Sequence, residues 1–265
     1  MTIENKINKY TRVINSEVSD WFDYMIEPAT LEAFLQDCRV YIEGGQDKET
    51  LCEMAASVIE AVDNLWASIQ SDQPNYDCQM GCSWCCYQNV SVTWPELLQL
   101  IEYLRKTLDA DQLKELQAKC DIRSKEVRGR PTNQRFDARM ACAFLENKIC
   151  TIHAARPLQC RGGFSEDKNY CKNLLENRER TQQAVKDRDQ VGKFLIAPKF
   201  VYNSTQVAMV YAMKEVDLKG YVFELTIAMA ILLQKLLDGE FETIEEDDLQ
   251  PAVLTDVNVA IKSSN

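Results

Sequence analysis

Histidine is nearly absent from the sequence, because His153 is the one histidine among 265 residues. Metal sites built from several imidazoles are therefore excluded, and hydrolase chemistry of that kind has little support. A general base also needs a partner, and no partner for His153 is identifiable. We expect this residue to be a partly buried histidine packed by the neighbouring cysteine-rich segment.

Long apolar runs are also missing. The longest, Ile227–Leu233, is far shorter than the roughly 20 residues that a membrane-spanning helix needs. The first ten residues are polar and mixed in charge, without the apolar core of a signal peptide. We therefore expect a cytoplasmic protein with no membrane partner, in a compartment where thiols stay reduced.

Positive charge is in deficit. The chain has 30 Lys and Arg against 41 Asp and Glu, a formal net charge of -11 and a pI near 4.8. Such a surface repels phosphate backbones, so we expect no nucleic-acid partner. The most basic stretch, Arg123–Arg139, has no interleaved aromatic residue except Phe136. We interpret it as a solvated charged loop near the metal site proposed below.

Cysteine, in contrast, is abundant, with eleven residues. Eight of them form two groups in the middle of the chain: Cys78, Cys82, Cys85 and Cys86, then Cys142, Cys150, Cys160 and Cys171. Reduced thiols gathered this densely indicate metal ligands rather than disulfides. The other three, Cys38, Cys52 and Cys120, lie on helical patterns, and we interpret them as structural.

The rest of the sequence predicts a mainly α fold, with helices packed around a loop-rich, cysteine-ligated metal centre. Hydrophobic residues make up 46% and charged residues 27%, as in soluble globular proteins. We divide the chain into an N-terminal helical segment (1–73), a cysteine-cluster metal-binding region (74–175) and a C-terminal helical segment (176–265). These segments are expected to form one compact domain.

Local signals place several elements. A helical pattern runs from Asn15 to Gly44 with a break at Pro28, and Thr93 with Glu96 forms a capping box for a later helix. Residues 200–211 are ambiguous between strand and helix. Residues 217–237 form the clearest C-terminal helix, and the acidic residues 240–248 read as a solvated loop.

The spacing within the first group suits one metal centre, because short loops wrap several thiolates with little loss of entropy. Cys85 and Cys86 are adjacent, so both reach one compact site only if the backbone bends; otherwise they serve two sites, or one of them is not a ligand. Eight thiols allow two four-cysteine sites, or one site with spare cysteines. Arg156 and Arg161 are placed to contact the thiolates and offset their negative charge.

The ordered motifs are Cys-x3-Cys-x2-Cys-Cys, a Glu-led helix, Cys-x-Phe-Leu, Cys-x-Ile-His, Arg-Pro-Leu and Cys-Arg. Together they resemble the YkgJ-type cysteine-cluster family, described as a zinc- or iron-chelating domain. The resemblance covers about residues 78–171, with His153 where we would expect a tyrosine. It implies a metal bound by the eight clustered cysteines, with Cys171 less closely aligned. A relative in the group is the flagellin lysine N-methylase, which implies S-adenosylmethionine-dependent modification of a protein or peptide.

Two kinds of metal centre are consistent with these cysteine motifs. All-cysteine ligation and the Cys-x3-Cys-x2-Cys spacing favour a [4Fe–4S] iron–sulfur cluster, and radical S-adenosylmethionine enzymes use the same spacing. In those enzymes three cysteines leave one iron of the cluster open for the cofactor. However, this sequence lacks the strand–helix alternation of their barrel, and its extra cysteines could ligate that iron. The alternative is zinc in a structural four-cysteine site, with the protein acting as an interaction module.

Overall fold

The computed structural model of the chain describes residues 27–130, 139–186 and 193–254, and these ranges contain all eleven cysteines. Within them, no helix has both the length and the apolar character that crossing a membrane requires. Helices make up most of the described chain and strands are few and short. The mainly α prediction is therefore confirmed.

Two helices open the described chain, α1 (Pro28–Gly44) and α2 (Lys48–Ile69). Proline is favoured in a first helical turn, and the Glu27 carboxylate accepts a hydrogen bond from Thr30 N at 2.7 Å. Asp47 caps α2 in the same way. The predicted break at Pro28 and stop at Gly44 are confirmed, and the part of the predicted pattern before residue 27 lies outside the described residues.

A short strand leads into the next helix pair: β1 (Ser91–Thr93), α3 (Trp94–Thr107) and α4 (Ala110–Val127). Thr93 and Glu96 form the predicted capping box, and Asp109 caps α4. The apolar stripe of α3 is buried, because its leucines and Ile101 face the core.

The cysteine-rich segment consists of short elements. Its elements are a 3₁₀ helix (Trp84–Tyr87), β2 (Leu145–Glu146), β3 (Ile149–Cys150), a 3₁₀ helix (His153–Ala155), α5 (Leu158–Arg161), α6 (Lys168–Glu176) and α7 (Arg178–Lys186). Strands β2 and β3 form an antiparallel hairpin that pairs Leu145 with Cys150. Since these elements are too short to bury a core, their positions depend on the longer helices around them.

The C-terminal part contains α8 (Ile196–Glu215), β4 (Val222–Glu224), α9 (Leu225–Leu237) and two 3₁₀ helices, Phe241–Thr243 and Glu246–Ala252. The ambiguous residues 200–211 are thus helical. The predicted helix 217–237 is wrong at its start, because Asp217 (φ 63°) and Gly220 (φ 57°) adopt left-handed backbone that ends a helix. The predicted loop 240–248 is wrong in part, because Phe241, Ile244 and Glu246 are buried.

Helix α8 packs against α1 and α5, α9 packs against α4, and α2 lies between α1 and α3. Strands β1 and β4 join antiparallel, with Val92 opposite Phe223, and so tie the start of α3 to the start of α9. One cluster of buried apolar residues extends from Phe34 to Ala252 and draws on all three predicted segments. The boundaries between those segments stay a prediction.

Candidate metal centre

The first cysteine group follows a tight turn. Cys82 N donates a hydrogen bond to Gln79 O at 2.9 Å, and Gly81 takes the left-handed conformation (φ 88°) that this turn needs and that glycine adopts without strain. The chain then enters the 3₁₀ helix that carries Cys85 and Cys86. With about three residues per turn, adjacent side chains leave such a helix roughly 120° apart. The backbone is therefore bent at the cysteine pair.

The second group is brought to the first by backbone hydrogen bonds. Cys142 N donates to Cys86 O at 2.7 Å. The Arg123 guanidinium, on α4, is buried and donates to the carbonyl oxygens of Met140, Ala141 and Gln88. A buried cation thus joins the chain on either side of the Cys86–Cys142 contact.

Cys160 is placed by α5. The buried Glu96 carboxylate accepts a hydrogen bond from Leu158 N at 2.8 Å, so the capping residue of α3 also holds the first turn of α5. Gly162 ends α5 against α8, where an added Cβ would lie 3.3 Å from Pro198 O. Close packing on α8, rather than an approach of its amide to sulfur, accounts for glycine at this position.

Cys78 and Cys171 meet at Ser165. Ser165 N donates to the Cys78 sulfur at 3.2 Å, and Asp77 N donates to Ser165 O at 2.9 Å. The Ser165 hydroxyl also contacts the thiol of Cys171, which lies in the first turn of α6. Helix α6 packs in turn against the 3₁₀ helix of Cys85 and Cys86.

Burial makes most of these thiols hard to ionise. It raises the pKa of Cys78 and of Cys142 to about 11, that of Cys171 to about 12, and that of Cys160 well above its usual range. The charge that neighbouring thiolates would carry raises these pKa values further. Metal binding must therefore supply the free energy to deprotonate the thiols.

Backbone N–H groups oppose that rise at three of the sulfurs. Ser165 N–H donates to Cys78, Phe144 N–H to Cys142 and Ile152 N–H to Cys150, and each lowers the thiol pKa. Hydrogen bonds to sulfur favour the thiolate, which is the form that binds metal. The local backbone is thus arranged for thiolates.

Cys85 differs from its neighbours, because its residue is exposed at the surface. A hydrogen bond from the Cys86 thiol lowers the pKa of Cys85 to about 7 against the opposing effect of desolvation, and the Arg156 guanidinium and the Lys199 ammonium lower it further. The same hydrogen bond is the main cause that raises the pKa of Cys86 far above its usual range. The two thiols are therefore in direct contact, and the hydrogen bond between them favours the thiolate at Cys85 over that at Cys86.

The two predicted arginines have different surroundings. Arg156 lies near the thiols, where its charge favours the thiolates of Cys85, Cys150 and Cys160, and its buried Nε has no hydrogen-bond partner. Arg161 is turned towards α2: it pairs with Asp63 and donates to Arg156 O at 2.7 Å. Arg156 therefore has the predicted surroundings, whereas Arg161 holds the loop that carries it.

The sequence did not indicate that two further basic residues are buried near the thiols. Arg123 was assigned to a solvated loop but is 3% exposed, and Lys199 is a buried lysine of α8 near Cys85. The lone His153 is exposed, so its predicted partial burial is wrong. Cys38 and Cys120 are fully buried and Cys52 is half-buried against the core, as structural cysteines would be.

The eight thiols gather without forming a finished coordination shell. Across residues 27–130, 139–186 and 193–254, no group of three or more His, Cys, Asp or Glu side chains is arranged to hold a metal ion as it stands. The donor chemistry nevertheless fits a thiophilic metal: clustered thiols, N–H donors aimed at sulfur, and an arginine Nε without a partner. The assignment of individual ligands stays a prediction.

Comparison with known proteins gives one match. No curated protein and no solved structure matches the chain significantly. A family model does match the cysteine-rich part, and it ends where α7 ends. Residues 77–186, with all eight clustered thiols, match the model of the CxxCxxCC family, described as a "putative zinc- or iron-chelating domain".

Proposed function

We propose that this metal-chelating protein binds an iron–sulfur cluster of the [4Fe–4S] type through its clustered cysteines. The observation that carries the proposal is the meeting of both cysteine groups, with Cys142 N bonded to Cys86 O and backbone N–H groups donating to sulfur. Iron–sulfur clusters are held by cysteine thiolates, and hydrogen bonds to the sulfurs tune their reduction potential. When bound, the cluster would supply one-electron redox chemistry.

The charges around the thiols support an anionic centre. Four thiolates around a metal centre leave a net negative charge, which is costly near a buried core unless cations are close. Arg123 lies near Cys142, and Arg156 and Lys199 lie near Cys85. The unpartnered Arg156 Nε is a donor that an anionic centre would satisfy.

We infer further that S-adenosylmethionine is the cofactor to test, with a protein or peptide as the modified substrate. This step rests on the Cys78-x3-Cys82-x2-Cys85 spacing and on the exposure of Cys85, which would place the centre close to the surface. Cys171 counts against it, because it lies beside these three cysteines and is a ready fourth ligand. Titration with S-adenosylmethionine tests the step: a changed cluster spectrum supports an open iron, and no binding contradicts it.

Zinc is the second candidate. Cys82 and Cys85 have the spacing of a zinc knuckle, and four-cysteine zinc sites are typically closed and structural. The thiols of Cys142 and Cys150 each accept a hydrogen bond from the N–H two residues later. Such bonds suit a permanent thiolate of either metal. Under this alternative the surrounding helices would form an interaction module.

The deciding experiment is analysis of iron, zinc and acid-labile sulfide, with an absorption spectrum, on protein purified without oxygen. Iron with matching sulfide and broad visible absorption supports the proposal; colourless protein with zinc and no sulfide refutes it in favour of the alternative. Replacement of Cys78, Cys82 or Cys85 by serine should reduce the metal content. The matched control is Cys52→Ser, a half-buried cysteine outside the cluster, which should leave the metal unchanged.

A further inference from the structure

The clustered thiols fall into two neighbourhoods that meet at the Cys85–Cys86 pair. We propose that they form two separate four-cysteine metal sites. The first site consists of Cys78, Cys82, Cys85 and Cys171. The second site consists of Cys86, Cys142, Cys150 and Cys160. This inference rests on the proposed metal binding, but it is independent of whether the metal is iron or zinc.

The first site is assembled by Ser165 and α6. Cys78 and Cys171 are 93 positions apart in sequence, yet both thiols contact Ser165, through its N–H and its hydroxyl respectively. The tight turn at Gly81 returns the chain so that Cys82 follows Cys78 closely. Helix α6 also packs on the 3₁₀ helix that carries Cys85, and Cys85 is one of the thiols close enough to raise the pKa of Cys78 and of Cys171.

The second site is assembled by the hairpin and α5. Cys142 precedes the hairpin and Cys150 ends its second strand, opposite Leu145. The hydrogen bond from Cys142 N to Cys86 O places this hairpin beside the cysteine pair. Cys160 lies on α5, which the bond from Leu158 N to Glu96 fixes to the start of α3. None of these contacts involves Ser165 or α6.

Apart from Cys85, which lies where the two sites meet, the electrostatic neighbours of the thiols agree with this division. Those that raise the pKa of Cys171 are Cys78, Cys85 and Cys82. Those that raise the pKa of Cys160 are Cys142, Cys85 and Cys150, and those that act on Cys86 are Cys85, Cys142 and Cys160. Cys85 alone appears among the neighbours of both sets.

The adjacent pair explains how one turn serves two sites. Side chains of neighbouring residues diverge by about 120° in a 3₁₀ helix, so Cys85 and Cys86 leave it in different directions. Their thiols still touch through the hydrogen bond between them. The two sites would therefore be adjacent, a short distance for an electron to cross if both hold iron–sulfur clusters.

The test measures metal and sulfide per chain in the anaerobically purified full-length protein and in two double variants. One variant is Cys78→Ser with Cys171→Ser, and the other is Cys142→Ser with Cys160→Ser. Each variant is expected to keep about half of the wild-type metal. Wild-type protein with a single centre, or a folded variant that loses all metal, would overturn the division while leaving the proposed metal binding intact. Wild-type protein without metal would overturn both.

A second measurement is the reactivity of each remaining thiol with iodoacetamide, read by mass spectrometry, which reports on the two sites separately even if a variant is less stable. In the Cys142/Cys160 variant, Cys82 and Cys85 should stay protected from iodoacetamide while Cys86 and Cys150 become reactive. In the Cys78/Cys171 variant the pattern should reverse. Equal reactivity of Cys82, Cys85, Cys86 and Cys150, in a variant whose circular dichroism is unchanged, would contradict two independent sites. Cys52→Ser is the control and should alter neither metal content nor protection.

Discussion

Replacement of Glu96 by alanine should destabilise the protein more than any surface substitution on the same helix. The Glu96 side chain is fully inside the protein and accepts four hydrogen bonds. Its Oε2 accepts from Thr93 N and Oγ1, both at 2.9 Å, and from Gln206 Nε2 at 3.0 Å. Its Oε1 accepts from Leu158 N at 2.8 Å. One carboxylate therefore connects α3, α5 and α8.

The expected loss follows from these four contacts. Removal of a helix cap costs about 1 kcal/mol. The Leu158 N–H and one N–H of the Gln206 side-chain amide, whose other acceptor is Ser91 O, would be left buried without an acceptor, at about 1–3 kcal/mol each. We therefore expect Glu96→Ala to lower the free energy of unfolding by about 3–7 kcal/mol. Glu96→Gln keeps the shape and one acceptor oxygen, so its loss should be smaller.

Chemical denaturation followed by circular dichroism measures this loss, and metal analysis of the same samples measures its effect on the site. Leu158 lies two residues before Cys160, so the metal content of Glu96→Ala should also fall. Glu102→Ala is the matched control: Glu102 lies on the same helix, is partly exposed and forms surface ion pairs with Arg105 and Lys106. Its loss should be below about 1 kcal/mol. Equal losses for the two alanine variants would refute the role assigned to Glu96.

Three further predictions follow from single contacts. Burial raises the pKa of Glu246 to about 7, so the folded state holds a proton that the unfolded state releases near pH 4.5. The free energy of unfolding should therefore fall by at most about 3 kcal/mol as pH rises from about 4.5 to above 7. Denaturation curves of Glu246→Gln should lack this pH dependence. Arg123→Met should cost about 2–3 kcal/mol in the same assay, since three carbonyls lose a buried cationic donor, whereas the exposed Lys125→Met should cost little. Gly162→Ala should lower the melting temperature because its Cβ would press on α8, whereas Gly163→Ala, with no atom within 4 Å of the added Cβ, should not.

Local rules predicted the longer helices well, because the signals that start and stop them are themselves local. Pro28, Gly44 and the Thr93–Glu96 box each act within one turn, and the structure uses all of them. The start of α9 was mispredicted because the turn at residues 217–220 was taken as part of the helix that follows. The strand pairing of Val222 with Thr93, a contact across more than 120 residues, decides the conformation there.

The site was predictable in its ligand chemistry but not in its surroundings. The density of cysteines indicated a metal centre, and spacing alone could suggest that Cys85 and Cys86 diverge. Arg123 and Lys199 were unpredictable, because a charged residue on a helix reads as solvated unless its burial is known. Arg161 was placed beside the thiols by its nearness to Cys160 in sequence, whereas Asp63, almost 100 residues away, determines its direction.

The cysteine-rich domain depends on helices that the family model does not cover. The end of its α5 helix is held by Asp63 of α2, which pairs with Arg161 and accepts a hydrogen bond from Tyr202 of α8 at 2.7 Å. Its α5 helix ends at Gly162 against α8, and α8 also supplies Lys199 beside Cys85. The matched region covers residues 77–186, so α2 lies before it and α8 lies after it. The flanking helices are therefore part of the structure of the metal centre, and differences between chains that carry this domain should be sought in α2 and α8 as much as in the cysteines.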